Sequence, residues 1–169
     1  MNWRDAHERC KSKGGKLVEI DSEEENTALV EEINKRGYPQ MKMNFWIGLT
    51  DLGSESDWRL ASSGLKPSYE NWHEGEPNNA NGDEDCAWIR IGNYSDWKGT
   101  WADIDCKLSS FTLIYTHATH KYNMHALCEL SHSTNQPSTG NPMAEGGSIR
   151  ADNILNFFLK RNQIDPKCL

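Results

Sequence analysis

The order of local patterns along the chain predicts an α+β domain, with two helices first and short strands joined by long loops after them. Three observations carry this. Apolar residues recur at helical spacing near the N-terminus and again after Ser22. From Phe45 onward the texture changes to β-branched and aromatic runs bounded by turn residues. Between Ser62 and Asp85 lies a segment rich in Gly, Pro and Asn, and a loop of that length inside a compact domain is usually functional.

Taken in order, Trp3 to Lys13 reads as a helix in which Ala6 and Cys10 share a face with Trp3, and Gly14-Gly15 ends it. Lys16 to Ile20 reads as a short strand. Ser22-Glu23-Glu24-Glu25 is a capping box, with Ser22 as N-cap and Glu25 at N3. It opens a second helix to about Lys35 that buries Leu29 and Ile33 and is closed by Gly37-Tyr38-Pro39. Strands follow at Phe45–Leu49, Asp57–Leu60, Ala87–Ile91 and Ala126–Leu130. The domain spans residues 1–130. Residues 131–148 turn to Ser, Thr, Asn, Pro and Gly and read as a flexible linker. Residues 149–169 form a C-terminal tail with a short amphipathic helix candidate carrying Ile154, Leu155, Phe158 and Leu159.

Bulk properties narrow the function. The 169 residues suffice for one domain with a core and a tail. A net charge of −7 argues against nucleic acid or anionic lipid as partner and is compatible with cations as ligands. No apolar run is long enough to span a bilayer. Seven tryptophans point to a small aromatic core, with Trp46, Trp58, Trp72, Trp88 and Trp101 mostly inside and Trp97, beside Tyr94, the candidate for exposure. The five cysteines, Cys10, Cys86, Cys106, Cys128 and Cys168, lack metal-finger spacing. Two disulfides and one leftover thiol are the simplest account, which implies an oxidising, secreted context. The sequon Asn93-Tyr94-Ser95 agrees with that. The start, Met-Asn-Trp-Arg-Asp-Ala-His, is not a leader, so either a leader has been removed or the chain is a fragment or an alternative product.

The stretch Glu74-Gly-Glu-Pro-Asn-Asn-Ala-Asn-Gly-Asp-Glu-Asp-Cys86 crowds carboxylates and amides into one loop. Ca²⁺ takes about six to eight oxygen ligands, more than one regular element can supply, so a loop must converge on it. Without a cation, carboxylates packed this closely repel one another; with one, the same charges make the site. The clustered groups are oxygens, the set suited to Ca²⁺ or Mg²⁺ rather than zinc, and no Ser/His/Asp spacing suggests hydrolysis. The chain reads as a binding module and not as an enzyme.

The pieces Trp46-Ile47-Gly48-Leu49, Tyr69-Glu70-Asn71-Trp72, Glu76-Pro77-Asn78, Glu84-Asp85-Cys86, Trp101-Ala102-Asp103 and Cys128-Glu129 occur in an order and spacing that resembles the C-type lectin-like domain, over about residues 3–130. The resemblance implies a double-loop fold of two helices and short antiparallel strands with a long Ca²⁺-binding loop. It implies two disulfides, Cys10–Cys128 and Cys86–Cys106, worth about 4–5 and about 3 kcal/mol on the chain-entropy model. It implies a cis Glu76-Pro77 bond. Glu76, Asn78, Glu84 and Asp103 would hold Ca²⁺ and a sugar together, two adjacent sugar hydroxyls filling the remaining positions. Glu76 with Asn78 is the mannose-type pair, pointing to mannose, GlcNAc or fucose-type glycans in innate-immune or cell-surface recognition. A supporting ion would fall to Asp51, Glu55, Asn79, Glu84 and Asp85; the alternative for Asp51 and Glu55 is a solvated acidic turn.

Three departures stand out. The family's sugar binders usually carry Trp-Asn-Asp where this chain has Trp101-Ala102-Asp103, and the missing amide, by analogy with an unmade hydrogen bond to a charged site, would cost about 1–3 kcal/mol. Ca²⁺ binding with weakened or altered sugar binding is therefore expected, and the same fold used on a biomineral, on ice or on a protein partner is the alternative. An insertion within Phe111 to Asn123 is a surface loop, an extra hairpin or a splicing product; His117, His120 and His125 around it read as exposed, unliganded residues rather than a zinc site. The strand that precedes the first helix in the family is lacking, which leaves an open sheet edge beside the Cys128 strand. The tail or Cys168 offers a route to a homo-oligomer; a free tail thiol is the alternative.

Overall fold

A computed structural model describes residues 1–35, 43–91, 99–115 and 118–130. The helix stop at 37–39, the sequon and aromatics of 93–97, His117, and the linker and tail from 131 on, Cys168 included, lie outside the described residues, as do the side chains of His120 and Tyr122.

Helix α1 (Trp3–Ser12) starts where Asn2 caps it, its side chain accepting the Asp5 N–H at 2.8 Å. Trp3, Ala6 and Cys10 form its buried stripe. Gly14, at φ +76°, terminates it in the left-handed region. Strand β1 (Gly15–Leu17) begins earlier and ends sooner than the pattern suggested. Val18 has left that ladder: its N–H donates to Leu127 O at 2.8 Å, and its carbonyl accepts Gly48 N–H at 2.7 Å. Helix α2 (Glu23–Lys35) is capped by Ser22, whose Oγ accepts the Glu25 N–H at 3.2 Å. Glu25 reaches one residue further back than a capping box requires, taking the Asp21 N–H at 2.6 Å. Leu29 and Ile33 are buried as expected, and Asn26 is buried with them.

The β part comprises β2 (Met43–Thr50), β3 (Arg59–Leu60), β4 (Cys86–Ile91), β5 (Trp101–Ile104), β6 (Ser110–Tyr115), β7 (Ala118–Ala126) and β8 (Cys128–Leu130). The main sheet runs β5-β4-β2-β7-β6, with β3 on β2; β1 and β8 form a two-stranded sheet. Most pairs are antiparallel, but β2 and β7 run parallel, with Phe45 beside His125. The expected strand Ala126–Leu130 is split at Leu127, where the chain passes from one sheet to the other. The insertion is the extra hairpin among its three alternatives: β6 pairs antiparallel with β7 from Ser110↔Asn123 to Tyr115↔Ala118. His125 is not the exposed residue expected of it; half-buried, its ring lies 6.0 Å from that of Phe45, and burial lowers its pKa. Among the described residues, β8 pairs with β1 alone.

Cys10–Cys128 and Cys86–Cys106 are both formed. The first ties α1 to β8, and the second ties the start of β4 to the chain just past β5. Two apolar clusters fill the interior. One gathers Leu29, Ile33, Phe45, Ile47, Trp58, Ile89 and Trp101 beneath α2. The other gathers Trp3, Cys10, Trp46, Trp88, Met124 and Cys128 beneath α1. Trp46, Trp58, Trp88 and Trp101 are core residues, and Trp72 packs half-buried between Trp58 and Trp101 at 4.7 and 6.0 Å.

Gly48 sits where β2 passes the segment after β1 too closely for a side chain. A Cβ there would stand 2.7 Å from Glu19 Cγ and 2.9 Å from Leu17 O. Gly48→Ala is therefore expected to cost about 1–3 kcal/mol, read as a lowered denaturation midpoint with unchanged slope. A second expectation concerns Glu25. Burial raises its carboxyl from 4.5 to about 7, with the charges of Asp21 and Glu129 adding and the Asp21 N–H opposing. A carboxyl whose folded-state pKa is raised lends stability that is present at low pH and lost as pH rises through the folded value. Glu25→Gln keeps an oxygen for the Asp21 N–H but has no proton to lose. Its melting temperature should gain on the wild type as pH rises from 4.5 to about 7 and hold a constant lead above that, in melts run with chelator.

Candidate metal centre in the long loop

The loop between β3 and β4 is anchored on aromatic packing and a backbone bridge. Trp72 pairs with Trp101 in an isolated parallel bridge. The Trp101 N–H donates to Asn71 O, and its carbonyl accepts the His73 N–H, both at 2.8 Å. Three residues beyond His73 the chain turns back, with the Glu76 N–H donating to His73 O at 2.9 Å. The Glu76-Pro77 bond that follows is cis.

Beyond this turn the loop closes on β5. Asp103, 4% exposed, accepts the Asn78 N–H on Oδ1 at 3.0 Å and the Asn79 N–H on Oδ2 at 2.7 Å. Asn78 Nδ2 donates to Glu76 Oε2 at 2.8 Å. Asn79 takes φ +43°, a conformation Asn tolerates better than most residues. From there its Nδ2 donates to Glu55, and its Oδ1 accepts the Glu84 N–H at 3.1 Å. Glu84 Oε2 in turn accepts the Ala80 N–H at 2.9 Å, across the 3₁₀ turn Ala80–Gly82. Asp51 is buried: its Oδ2 accepts the Ser56 N–H at 2.8 Å, and its Oδ1 has no hydrogen-bond partner. Asp85 joins through its backbone carbonyl, which accepts from Thr50 Oγ1 at 2.6 Å and from the Asp51 N–H at 3.2 Å.

The residues singled out in the sequence thus form one connected region. Glu76, Asn78 and Asp103 are at its centre, with Glu84 bridged to them by Asn79 and with Glu55 and Asp51 to one side. They are linked through amides and backbone groups rather than gathered as a shell of carboxylates. Among the described residues, no three His, Cys, Asp or Glu side chains are grouped closely enough to hold a metal as they stand. The electrostatics show strain between the acids. Burial pushes the Glu76 carboxyl up to about 7; the hydrogen bond and charge of Asp103 add to this, as does Glu84, while the Asn78 amide opposes it. Burial also raises Glu84, with Asp103, Asp83 and Asp105 adding to it, and raises Asp51, with Glu55 and Asp85 adding. Ala102 brings no polar atom here: it is 3% exposed, opposite Trp88, in the cluster beneath α1.

Sequence reasoning missed the supports of this region. Asn26 Nδ2 and Asn71 Nδ2 both donate to Gly99 O at 3.1 Å, and Asn26 Oδ1 accepts the Trp101 indole N–H at 3.1 Å. The available signal was a polar residue on the Asn26, Leu29, Ile33 stripe of an amphipathic helix.

Two helices, a split pair of sheets, two bridges and a long acidic loop define a lectin-like binding module. A family model described as the lectin C-type domain matches residues 1–113, and the chain belongs to that family, which is generally non-enzymatic. It is 43% identical over 107 residues to a perlucin-like protein of Mytilus galloprovincialis, the match covering 62% of this chain and 63% of that one. It is 33% identical over 108 residues to salivary C-type lectin 1 of Aedes albopictus, covering 62% and 69%. Among solved structures, the carbohydrate-recognition domain of mouse scavenger receptor C-type lectin superposes with TM-score 0.51 at 33% identity over 63% of this chain and 75% of its own. Human lithostathine does so with TM-score 0.53 at 28% identity, covering 63% and 76%. The chain spans less than two thirds of the mussel relative's length. No described helix is long and apolar enough to cross a membrane.

Proposed function

We propose that this domain is a Ca²⁺-dependent glycan-binding module, secreted and without enzymatic activity, that takes mannose, GlcNAc or fucose-type sugars on microbial or cell surfaces. The observation that carries it is the turn at Glu76-Pro77-Asn78, held against Asp103 so that the Glu76 carboxylate, the Asn78 amide and the Asp103 carboxylate lie side by side. Glu76, Asn78, Glu84 and Asp103 would hold the ion and the sugar. Asp51, Glu55, Asn79, Glu84 and Asp85 would hold a supporting ion. The donors are oxygens, as a hard cation requires. Asp51 Oδ1, buried without a partner, is an acceptor still to be satisfied, and the raised Glu76, Glu84 and Asp51 carboxyls are those a cation would relieve. When bound, Ca²⁺ supplies coordination positions for two adjacent sugar hydroxyls. The chain's own part is to present the Glu76 carboxylate as acceptor and the Asn78 amide as donor to those hydroxyls. The disulfides and the salivary relative support an extracellular setting.

One observation favours a second reading, the same fold used on a mineral, on ice or on a protein partner: Ala102 packs as a core residue and offers no amide to a sugar.

A mannose-agarose column separates the two. Under the first reading the protein is retained in Ca²⁺ and released by EDTA, and Asp103→Asn is not retained. Retention that ignores EDTA would overturn the ion-dependent reading, and calorimetric Ca²⁺ binding without retention would favour the second. A further expectation follows from Ala102. Ala102→Asn should leave mannose binding within about twofold of wild type, because residue 102 faces the apolar cluster on the side of β5 opposite Asp103, and should lower the melting temperature, because the amide displaces a methyl from that cluster. Titrating mannose into the Ca²⁺-loaded variant checks the first, and a thermal melt the second.

A further inference from the structure

Asn26 lies on the first turn of α2, and it is 4% exposed. Both ends of its amide are bonded. The Nδ2 donates to Gly99 O at 3.1 Å, and the Oδ1 accepts the Trp101 indole N–H at 3.1 Å. The same Gly99 carbonyl accepts Asn71 Nδ2 at 3.1 Å, so one oxygen joins helix α2 to the start of the long loop. Gly99 is fitted to this contact: it takes φ +77°, and a Cβ would stand 2.4 Å from Val30 Cγ2 and 3.2 Å from Asn26 Nδ2.

What hangs on this junction is the register between the two halves of the candidate site. Trp101 is bracketed by Asn71 O and the His73 N–H. From His73 the chain reaches Glu76 in three residues, and from Trp101 it reaches Asp103 in two. The loop residues and the β5 residue are therefore positioned relative to each other by the backbone of Trp101, whose indole is held by Asn26. Groups that bind an ion or a sugar need placement to about 0.5 Å, supplied by the residues behind them. Removing the amide leaves a buried indole N–H without its acceptor and one fewer donor on Gly99 O, costs that the structure relieves by moving Trp101.

We propose that Asn26 is a positioning residue for the ion- and glycan-binding loop, coupling α2 to Glu76 and Asp103 through Gly99 and Trp101. The ligand part rests on the glycan-binding function proposed above; the coupling itself does not. Asn26→Ala removes both bonds, and Asn26→Asp keeps the acceptor for Trp101 while setting a carboxylate against the Gly99 carbonyl. Leu29→Ala and Ile33→Val, buried on the same stripe, calibrate the effect of merely loosening the helix.

The test has two readouts on the full chain, both taken well below melting. In chelator, NMR hydrogen exchange of the Asn78 and Asn79 amides, the pair bound by Asp103, should accelerate about tenfold or more in both Asn26 variants, beyond what their loss of global stability accounts for. In the Leu29 and Ile33 variants it should follow global stability alone. In calorimetry, Ca²⁺ affinity should fall about fivefold or more in Asn26→Ala and stay within about twofold of wild type in Ile33→Val. Exchange at Asn78 and Asn79 that tracks melting temperature identically across all four variants overturns the coupling. A wild type that binds no Ca²⁺ overturns the proposed function instead, and the exchange readout still decides the role of Asn26.

Discussion

The carboxylate of Asp103, taking the N–H groups of Asn78 and Asn79 on its two oxygens, is the constraint on which the acidic loop depends. A loop without regular structure must find partners for its backbone, and a buried carboxylate must find donors. Here each answers the other. Hydrogen bonds to a charged group contribute about 1.5–3 kcal/mol each, well above the neutral kind. They fix the turn after Pro77 to β5, and β5 is itself fixed by its pairing with β4 and by the Cys86–Cys106 bridge beside it. Deeper in, the Trp101 backbone holds Asn71 and His73. The loop is in effect an outgrowth of β5, attached at two levels.

That arrangement stabilises the loop's backbone at the expense of its side chains. Once Asp103 is committed to two amides, Glu76 is left beside a carboxylate in a partly buried place, and its own carboxyl is pushed up to about 7. Glu84 and Asp51 are raised in the same direction, and one Asp51 oxygen has no partner. Elsewhere local and global preferences agree: the caps, the apolar stripes and the strand patterns favour one structure. Outside the loop, burial raises Glu25 and Glu129 as well, but three raised carboxyls and an unpartnered carboxylate oxygen around one loop are the concentration of conflict expected where binding rather than folding has selected the residues.

The parts of this molecule that could be read from sequence are those governed by short-range rules. Both helices are visible because Trp3, Ala6 and Cys10, and later Leu29 and Ile33, repeat at helical spacing and the ends carry cap residues. The β1 boundaries and the break at Leu127 were not, because they follow from long-range hydrogen bonds: Val18 binds Leu127 and Gly48, partners far away in the chain. The parallel β2–β7 pair is likewise a matter of topology, which strand patterns alone do not specify. The candidate site residues stood out in the sequence as a set of oxygens with a familiar order. Their mutual bonding was not, since an Asn reads the same whether it faces an ion, caps a turn or donates to a neighbour. Asn26 shows the limit most clearly: a lone polar residue on an apolar stripe, it acquires meaning only when Gly99 and Trp101 are seen against it.

The insertion before Cys128 shows how the fold absorbs a departure without disturbing the loop. An added segment that had to pair with the existing core would compete with native contacts. This one pairs mainly with itself: β6 and the first part of β7 form a hairpin whose strands are adjacent in sequence, so the closure cost is small. The rest of β7 lies parallel to β2 with Asn44 beside Met124 and Trp46 beside Ala126, which returns the chain to the core. The bond from Cys10 to Cys128 then secures the return, even though the family match stops at residue 113. In the sheet order β5-β4-β2-β7-β6, the hairpin's outer strand and the strand bearing Asp103 stand at opposite edges, with three strands between them. The extra mass is therefore added where the sheet can grow, and the carboxylate that organises the acidic loop keeps its neighbours.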